Sequence, residues 1–138
     1  MSAIVSYRGT VQTWHCDHMG HMNVMWYVGK FDEGTWVFFT TLGITPSYMR
    51  DELRGMSAVQ QNIAYRREVM AGECIEVSTT LIEIRERVIR FRHDMRVVET
   101  GEIAATCELT GVHIDRAARK ACPFPEAIRA AALRYLPG

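Results

Sequence analysis

The stretch Asn23–Gly43, NVMWYVGKFDEGTWVFFTTLG, constrains the fold of this chain more than any other. Asn23 is a favoured helix N-cap and Gly43 a favoured stop. Between them Val24, Met25, Trp26, Tyr27, Val28, Phe31, Trp36, Val37, Phe38, Phe39 and Leu42 cover nearly the whole circumference of a helix. A helix that is apolar all round has to be surrounded by protein. Thr45-Pro46 then has the form of an N-cap and first position, which predicts a short helix ending near Gly55.

Ahead of this stretch and again beyond Gly55 the apolar spacing is that of strands. Ala3–Thr13 alternates loosely, and Met56–Val69 sets Val59, Ile63, Tyr65 and Val69 on one parity. Cys74–Ile84 carries Ile75, Val77 and Leu81 on one parity and Ile82 and Ile84 on the other, which predicts a bulge near Leu81. In Val88–Glu99, Ile89, Phe91, His93, Met95 and Val97 alternate with Arg90, Arg92, Asp94 and Arg96. Ala71-Gly72 and Thr100-Gly101 mark turns, Ile103–Ile114 reads as the last strand, and Glu126–Leu136 as a closing amphipathic helix. No second long helix is available for a parallel βαβ crossover. The expectation is an α+β fold, an antiparallel sheet of about five strands wrapped around one long apolar helix, as a single domain over residues 1–138.

Sixteen basic and sixteen acidic side chains cancel, so no global field favours nucleic acid or an anionic membrane. The longest apolar segment is interrupted by Lys30, Asp32 and Glu33, and the N-terminus lacks the pattern of an export signal. Cys16, Cys74, Cys107 and Cys122 form no C-x-x-C pair. These features predict a soluble cytoplasmic protein with free thiols.

Chemistry concentrates in WHCDHMGHMN, Trp14–Asn23, immediately before the helix. The first helical turn presents unpaired N–H groups and about half a positive charge. Asp17, beside that turn, is placed to act as general base or nucleophile on a carbonyl whose oxygen meets the amides of Asn23 or Val24. A thiolate leaving group, with a solution pKa of ~8.5, departs without a strong acid, so one carboxylate and one amide dipole suffice for a thioester. Asp17 as a mere turn-shaping residue is the competing reading. His15, His18 and His21 invite a metal, but their spacing matches no established ligand set, so none is predicted. His93, on an apolar strand face, reads as a hydrogen-bonded core histidine. Asp32 and Glu33 are open to three readings: solvated, paired with arginine across a subunit contact, or, for Asp32 in particular, a second catalytic carboxylate.

Val11, Asp17, Gly20, His21, Asn23 and Tyr27 fall in a pattern V-x5-D-H-M-G-H-M-N-x3-Y that resembles the opening signature of hotdog-fold acyl-CoA thioesterases of the 4-hydroxybenzoyl-CoA thioesterase-like group. Phe31-Asp32-Glu33, Ile63-x-Tyr65-Arg66, Gly72-Glu73, Asp115-Arg116 and Pro123–Pro125 extend the resemblance in order over roughly residues 5–133. It implies a homodimer or homotetramer with active sites between protomers. Asp17 then carries hydrolysis, the Val24 amide meets the carbonyl, Asn23 adjoins it, and Gly20 and His21 shape the loop. The substrate is an acyl-CoA, with CoA entering only as part of it and no separate cofactor, nucleic acid or membrane partner. Residues facing the substrate are Trp14, His15, Met19, Tyr27 and Asp32, with Arg66 and Arg67, ahead of Arg85, Arg87 and Arg90, meeting the nucleotide phosphates. His15, Glu73 and the lack of a proline soon after Tyr65 depart from the family pattern, which leaves acyl choice open. An aromatic-lined pocket suits even a trimethylammonium acyl group. A non-catalytic acyl-CoA sensor and a hotdog dehydratase are the alternatives on the same fold.

Overall fold

The computed structural model describes residues 2–137, so the end residues of the expected 1–138 domain lie outside it. The elements are β1 (Ile4–Thr10), a single 3₁₀ turn (Thr13–His15), α1 (Val24–Leu42), α2 (Pro46–Glu52), β2 (Arg54–Tyr65), β3 (Cys74–Ile84), β4 (Val88–Val97), β5 (Ile103–Asp115), β6 (Lys120–Ala121) and α3 (Glu126–Leu133). Five strands form an antiparallel sheet in the order β1-β3-β4-β5-β2, and the two-residue β6 pairs with the end of β5.

The alternation read in the sequence decides which face turns inward. Ile75, Val77, Thr79 and Leu81 of β3 and Ile89, Phe91, His93, Met95 and Val97 of β4 are buried. The intervening Arg90, Arg92 and Asp94 lie on the outer face, where Arg92 pairs with Asp94 at 2.9 Å. The register of β3 against β4 shifts between Leu81 and Glu83, the bulge expected from the parity change.

Helix α1 packs on the inner face through Tyr27, Phe31, Phe38, Phe39 and Leu42. Its start is capped by the Asn23 side chain, which accepts the Met25 N–H, and Gly43 at φ 98° ends it. Gly34 allows the helix to come close to β1: a Cβ there would lie 2.9 Å from Ser6 Oγ.

Two expectations need correction. The helix is not enclosed by its own chain, because one sheet can cover only one side of it; Val24 is 56%, Met25 62%, Val28 36% and Trp36 41% exposed. Strand β2 is shorter than read and is an edge strand, exposed on both faces from Ser57 to Asn62, with Val59 60% exposed. Val69 falls beyond its end and is fully buried in the connection. The four cysteines are unpaired, as expected. Among the described residues no helix is long and apolar enough to cross a membrane.

Candidate active site

The loop between β1 and α1 closes on itself before the helix begins. Cys16 and Met22 form an antiparallel bridge, the Asp17 N–H donates to the His21 carbonyl at 3.1 Å, and Gly20 sits at φ 89° in the turn. Met22 N–H donates to the Val69 carbonyl at 2.8 Å, and Asn23 N–H to the His15 carbonyl at 2.9 Å, tying the loop to the rest of the fold.

Within this frame the Asp17 carboxylate is held at both oxygens. Oδ2 accepts from Asn23 Nδ2 at 2.8 Å, and Oδ1 accepts from the Met19 N–H at 2.8 Å. The Asn23 amide, then the Met19 N–H, stabilise the anion and keep the Asp17 carboxyl below the ordinary aspartate value, against a small opposing effect of desolvation. The other end of the Asn23 amide, Oδ1, accepts the Met25 N–H at 2.9 Å. Asn23 therefore joins the carboxylate to the first turn of α1. Among the described residues the N–H of Val24, the first residue of that turn, meets no acceptor. A carboxylate and an unpaired helix amide are thus fastened to the same side chain.

Val24 also lines a cleft of about 270 Å³, together with His21, Met22, Tyr27, Tyr65, Arg66, Arg67 and Glu68. The cleft lies where the start of α1 meets the end of β2. Tyr27 is 3% exposed and braces this junction, its hydroxyl donating to the Arg67 carbonyl at 3.0 Å and its ring meeting Tyr65 edge-on at 5.2 Å. His21 Nε2 lies 3.4 Å from Glu68 Oε1.

The remaining residues singled out in the sequence separate. His15 is 8% exposed, packs on Trp26 at 4.6 Å and accepts the Gln12 N–H at Nδ1, so it shapes the loop from inside. Desolvation, then the charge of Lys30, lowers its pKa. Trp14 and Met19 are 68% and 67% exposed around the loop. Arg67 is committed to Glu73 through two 3.1 Å hydrogen bonds and reaches Glu102 at 3.4 Å, whereas Arg66 is exposed and enters no ion pair among the described residues. Arg85 and Arg90 pair with Glu83, and Arg87 with Glu86. Asp32 and Glu33 are both exposed on α1. No group of three or more His, Cys, Asp or Glu side chains among the described residues is arranged to hold a metal.

A family model described as the thioesterase-like superfamily matches residues 11–132. The chain belongs to that superfamily. This thioesterase-like chain is 29% identical over 114 residues to the L-carnitine dehydrogenase/betainyl-CoA thioesterase of Agrobacterium fabrum, an alignment covering 81% of the chain and 23% of that protein. The chain thus spans about a quarter of the length of the curated relatives it matches. A Staphylococcus aureus protein solved in complex with CoA superposes with a TM-score of 0.92 at 19% identity, over 100% of this chain and 89% of that one. A Synechocystis 1,4-dihydroxy-2-naphthoyl-CoA thioesterase does so at 0.84 with 14% identity, over 96% of each chain. The fold of this thioesterase-like chain is therefore the hotdog fold that the resemblance implied.

The sequence alone did not point to the second role of Asn23. Its amide donation to Asp17 spans six residues and exists only because the loop closes between Cys16 and Met22.

Proposed function

We propose that the chain is an acyl-CoA thioesterase in which Asp17 acts, as nucleophile or as general base on water, on a thioester carbonyl polarised by the Val24 amide. The observation that carries this reading is the Asn23 side chain, which holds the Asp17 carboxylate at one end and caps the helix offering the free amide at the other. As the carbonyl carbon is attacked, charge builds on its oxygen, where a preorganised N–H at a helix start stabilises it most. The CoA thiolate then leaves without protonation by a strong acid, its solution pKa being ~8.5. A carboxyl kept ionised by Asn23 and Met19 suits the attacking role. No step calls for a metal or a bound cofactor.

The working unit in this reading is a homodimer, alone or paired into a tetramer. The free edge of β2 and the exposed stripe Val24, Met25, Val28 and Trp36 supply what a second copy would cover. The pantetheine arm then runs between subunits, and Arg66, rather than the committed Arg67, is the cation free to meet a phosphate. Four unpaired cysteines fit a cytoplasmic site of action. The printed name of the Agrobacterium relative makes a betainyl thioester the first substrate to try.

Thiol release from a panel of acyl-CoAs tests the reading. Asp17→Asn keeps the shape and removes the charge, and turnover is expected to fall at least ~100-fold. Undiminished hydrolysis by that variant overturns the assignment.

A further inference from the structure

The cleft lies beside the start of β5, where Tyr65 pairs with Ala105 and Arg66 N–H donates to the Ala104 carbonyl. At the other end of the same strand a second cluster of titratable side chains gathers around His113. His113 is fully buried in β5, Tyr48 comes from α2, and half-buried Cys122 follows β6. The Tyr48 hydroxyl lies 2.9 Å from Nε2 of His113, and the Cys122 carbonyl oxygen 3.0 Å from Nδ1. The Cys122 sulfur is 3.4 Å from the same Nδ1. Phe124 packs on the imidazole with ring centroids 4.7 Å apart.

The Cys122 carbonyl decides which nitrogen carries the proton. A bare Nδ1 would set its lone pair against those of the carbonyl oxygen at 3.0 Å, so Nδ1 is the N–H and donates to that oxygen. Nε2 is then bare and accepts from the Tyr48 hydroxyl. Burial, opposed by the bond to the Cys122 carbonyl, holds the pKa of His113 below the ordinary histidine value, so the ring is neutral and this tautomer persists. The Nδ1–H is therefore a fixed donor shared between the carbonyl and the sulfur of Cys122. A donor at sulfur favours the thiolate over the thiol, and the thiolate is the nucleophile.

The other three cysteines lack this arrangement. Cys107 is fully buried, and burial pushes its thiol up to about 11. Cys16 Sγ donates to the Gln12 carbonyl at 3.8 Å, an acceptor that keeps the proton on sulfur. Cys74 is half-buried like Cys122, but its sulfur meets no hydrogen-bond partner among the described residues. We propose that Cys122 is an oxidative modification site, at which a thiolate supported by the His113 N–H attacks a hydroperoxide. An S–O bond forms as the O–O bond breaks, and sulfur gives up two electrons to become a sulfenic acid. The departing oxygen takes up the proton that the thiol released and leaves as water or an alcohol.

Asp17, Asn23 and Val24 take no part in this step, so it stands or falls separately from thioester hydrolysis. The test exposes the wild-type protein to limiting hydrogen peroxide with dimedone as the sulfenic-acid trap, and follows each cysteine-bearing peptide by mass spectrometry. Cys122 is expected to be labelled at least ~10-fold faster than Cys74, which is also half-buried. Equal rates at the two residues overturn the inference. In urea, where the contact with His113 is lost, the preference should disappear; a preference that survives unfolding arises from the neighbouring sequence and overturns it as well. His113→Phe keeps a ring among the same neighbours and removes the N–H, and should lower Cys122 labelling about tenfold while leaving Cys74 unchanged. Undiminished labelling in a folded His113→Phe protein overturns the role of His113 and the site with it. If that variant does not fold, the comparison of Cys122 with Cys74 in the wild-type protein, with and without urea, decides alone.

Discussion

Asn23 fixes its own orientation. Its oxygen must face the Met25 N–H and its nitrogen the Asp17 carboxylate, since a flipped amide would set oxygen against oxygen and N–H against N–H. Serine is as good an N-cap as asparagine but has no second arm, so Asn23→Ser keeps the helix start and releases Asp17. The Asp17 carboxyl, held low mainly by Asn23, must be ionised to react, so the acid limb of wild-type turnover should lie below the range of an ordinary aspartate. In Asn23→Ser the acid limb should move to higher pH and turnover should fall ~10-fold, read from kcat/KM against pH. An unmoved limb would show that Asn23 does not tune the carboxylate. The sequence made Asp17 and the helix amide legible because both follow from local spacing. It did not make Arg67 legible, since its commitment to Glu73 depends on where the chain returns after the turn at Gly72.

One buried polar chain pins α1 to the sheet. Thr35 donates to the Phe31 carbonyl at 3.0 Å, so it must accept from His93 Nε2 at 2.8 Å, which makes Nδ1 the acceptor of the Thr79 hydroxyl at 2.7 Å. Thr79 must then accept from Ser6, also at 2.7 Å, and the longer 3.2 Å contact of Ser6 Oγ with the Val77 carbonyl competes for the same single hydroxyl proton. The ring of His93 lies parallel to that of Phe31, 5.6 Å away, with both residues fully buried. Burial pushes its pKa from the ordinary 6.5 down to about 4. Between those values the unfolded chain binds the proton and the folded one does not, so His93's contribution to stability is intact above pH 6.5 and lost as pH falls towards 4. The loss should amount to about 2 kcal/mol between pH 7 and pH 5. His15 and His113, also lowered mainly by burial, add slopes of the same sign, so the difference between wild type and His93→Gln isolates the effect. Urea unfolding at the two pH values checks it, with equal slopes in both proteins counting against the assignment. His93 was readable as a core residue from the alternation of β4, and the bulge of β3 from its parity change. The exposure of β2 was not, because alternation shows which residues share a face and not whether anything covers that face.

At the scale of the whole molecule, the mismatch between an all-round apolar helix and a sheet that covers one side of it is the main unfinished feature. Val24, Met25, Val28 and Trp36 remain exposed beside a strand edge with an unused hydrogen-bonding ladder, a combination that isolated chains avoid. The sequence carried this information in the excess of apolar positions on α1, but a single chain's pattern cannot say whether its own sheet or another copy supplies the cover. If two α1 stripes meet at Val28, a lysine there faces its own copy across the two-fold, so symmetry doubles the penalty of burying an unpaired charge. Val28 is 36% exposed in the single chain, where the same lysine can reach water and leave the fold intact. Val28→Lys is therefore expected to sediment as a monomer with wild-type circular dichroism and to lose at least ~10-fold in turnover, because each site would lack its neighbour's contribution. A Val28→Lys protein that remains dimeric places the interface elsewhere. One that is monomeric and fully active shows that Asp17 and Val24 need no second chain, and so separates the hydrolytic machinery from the dimer interface.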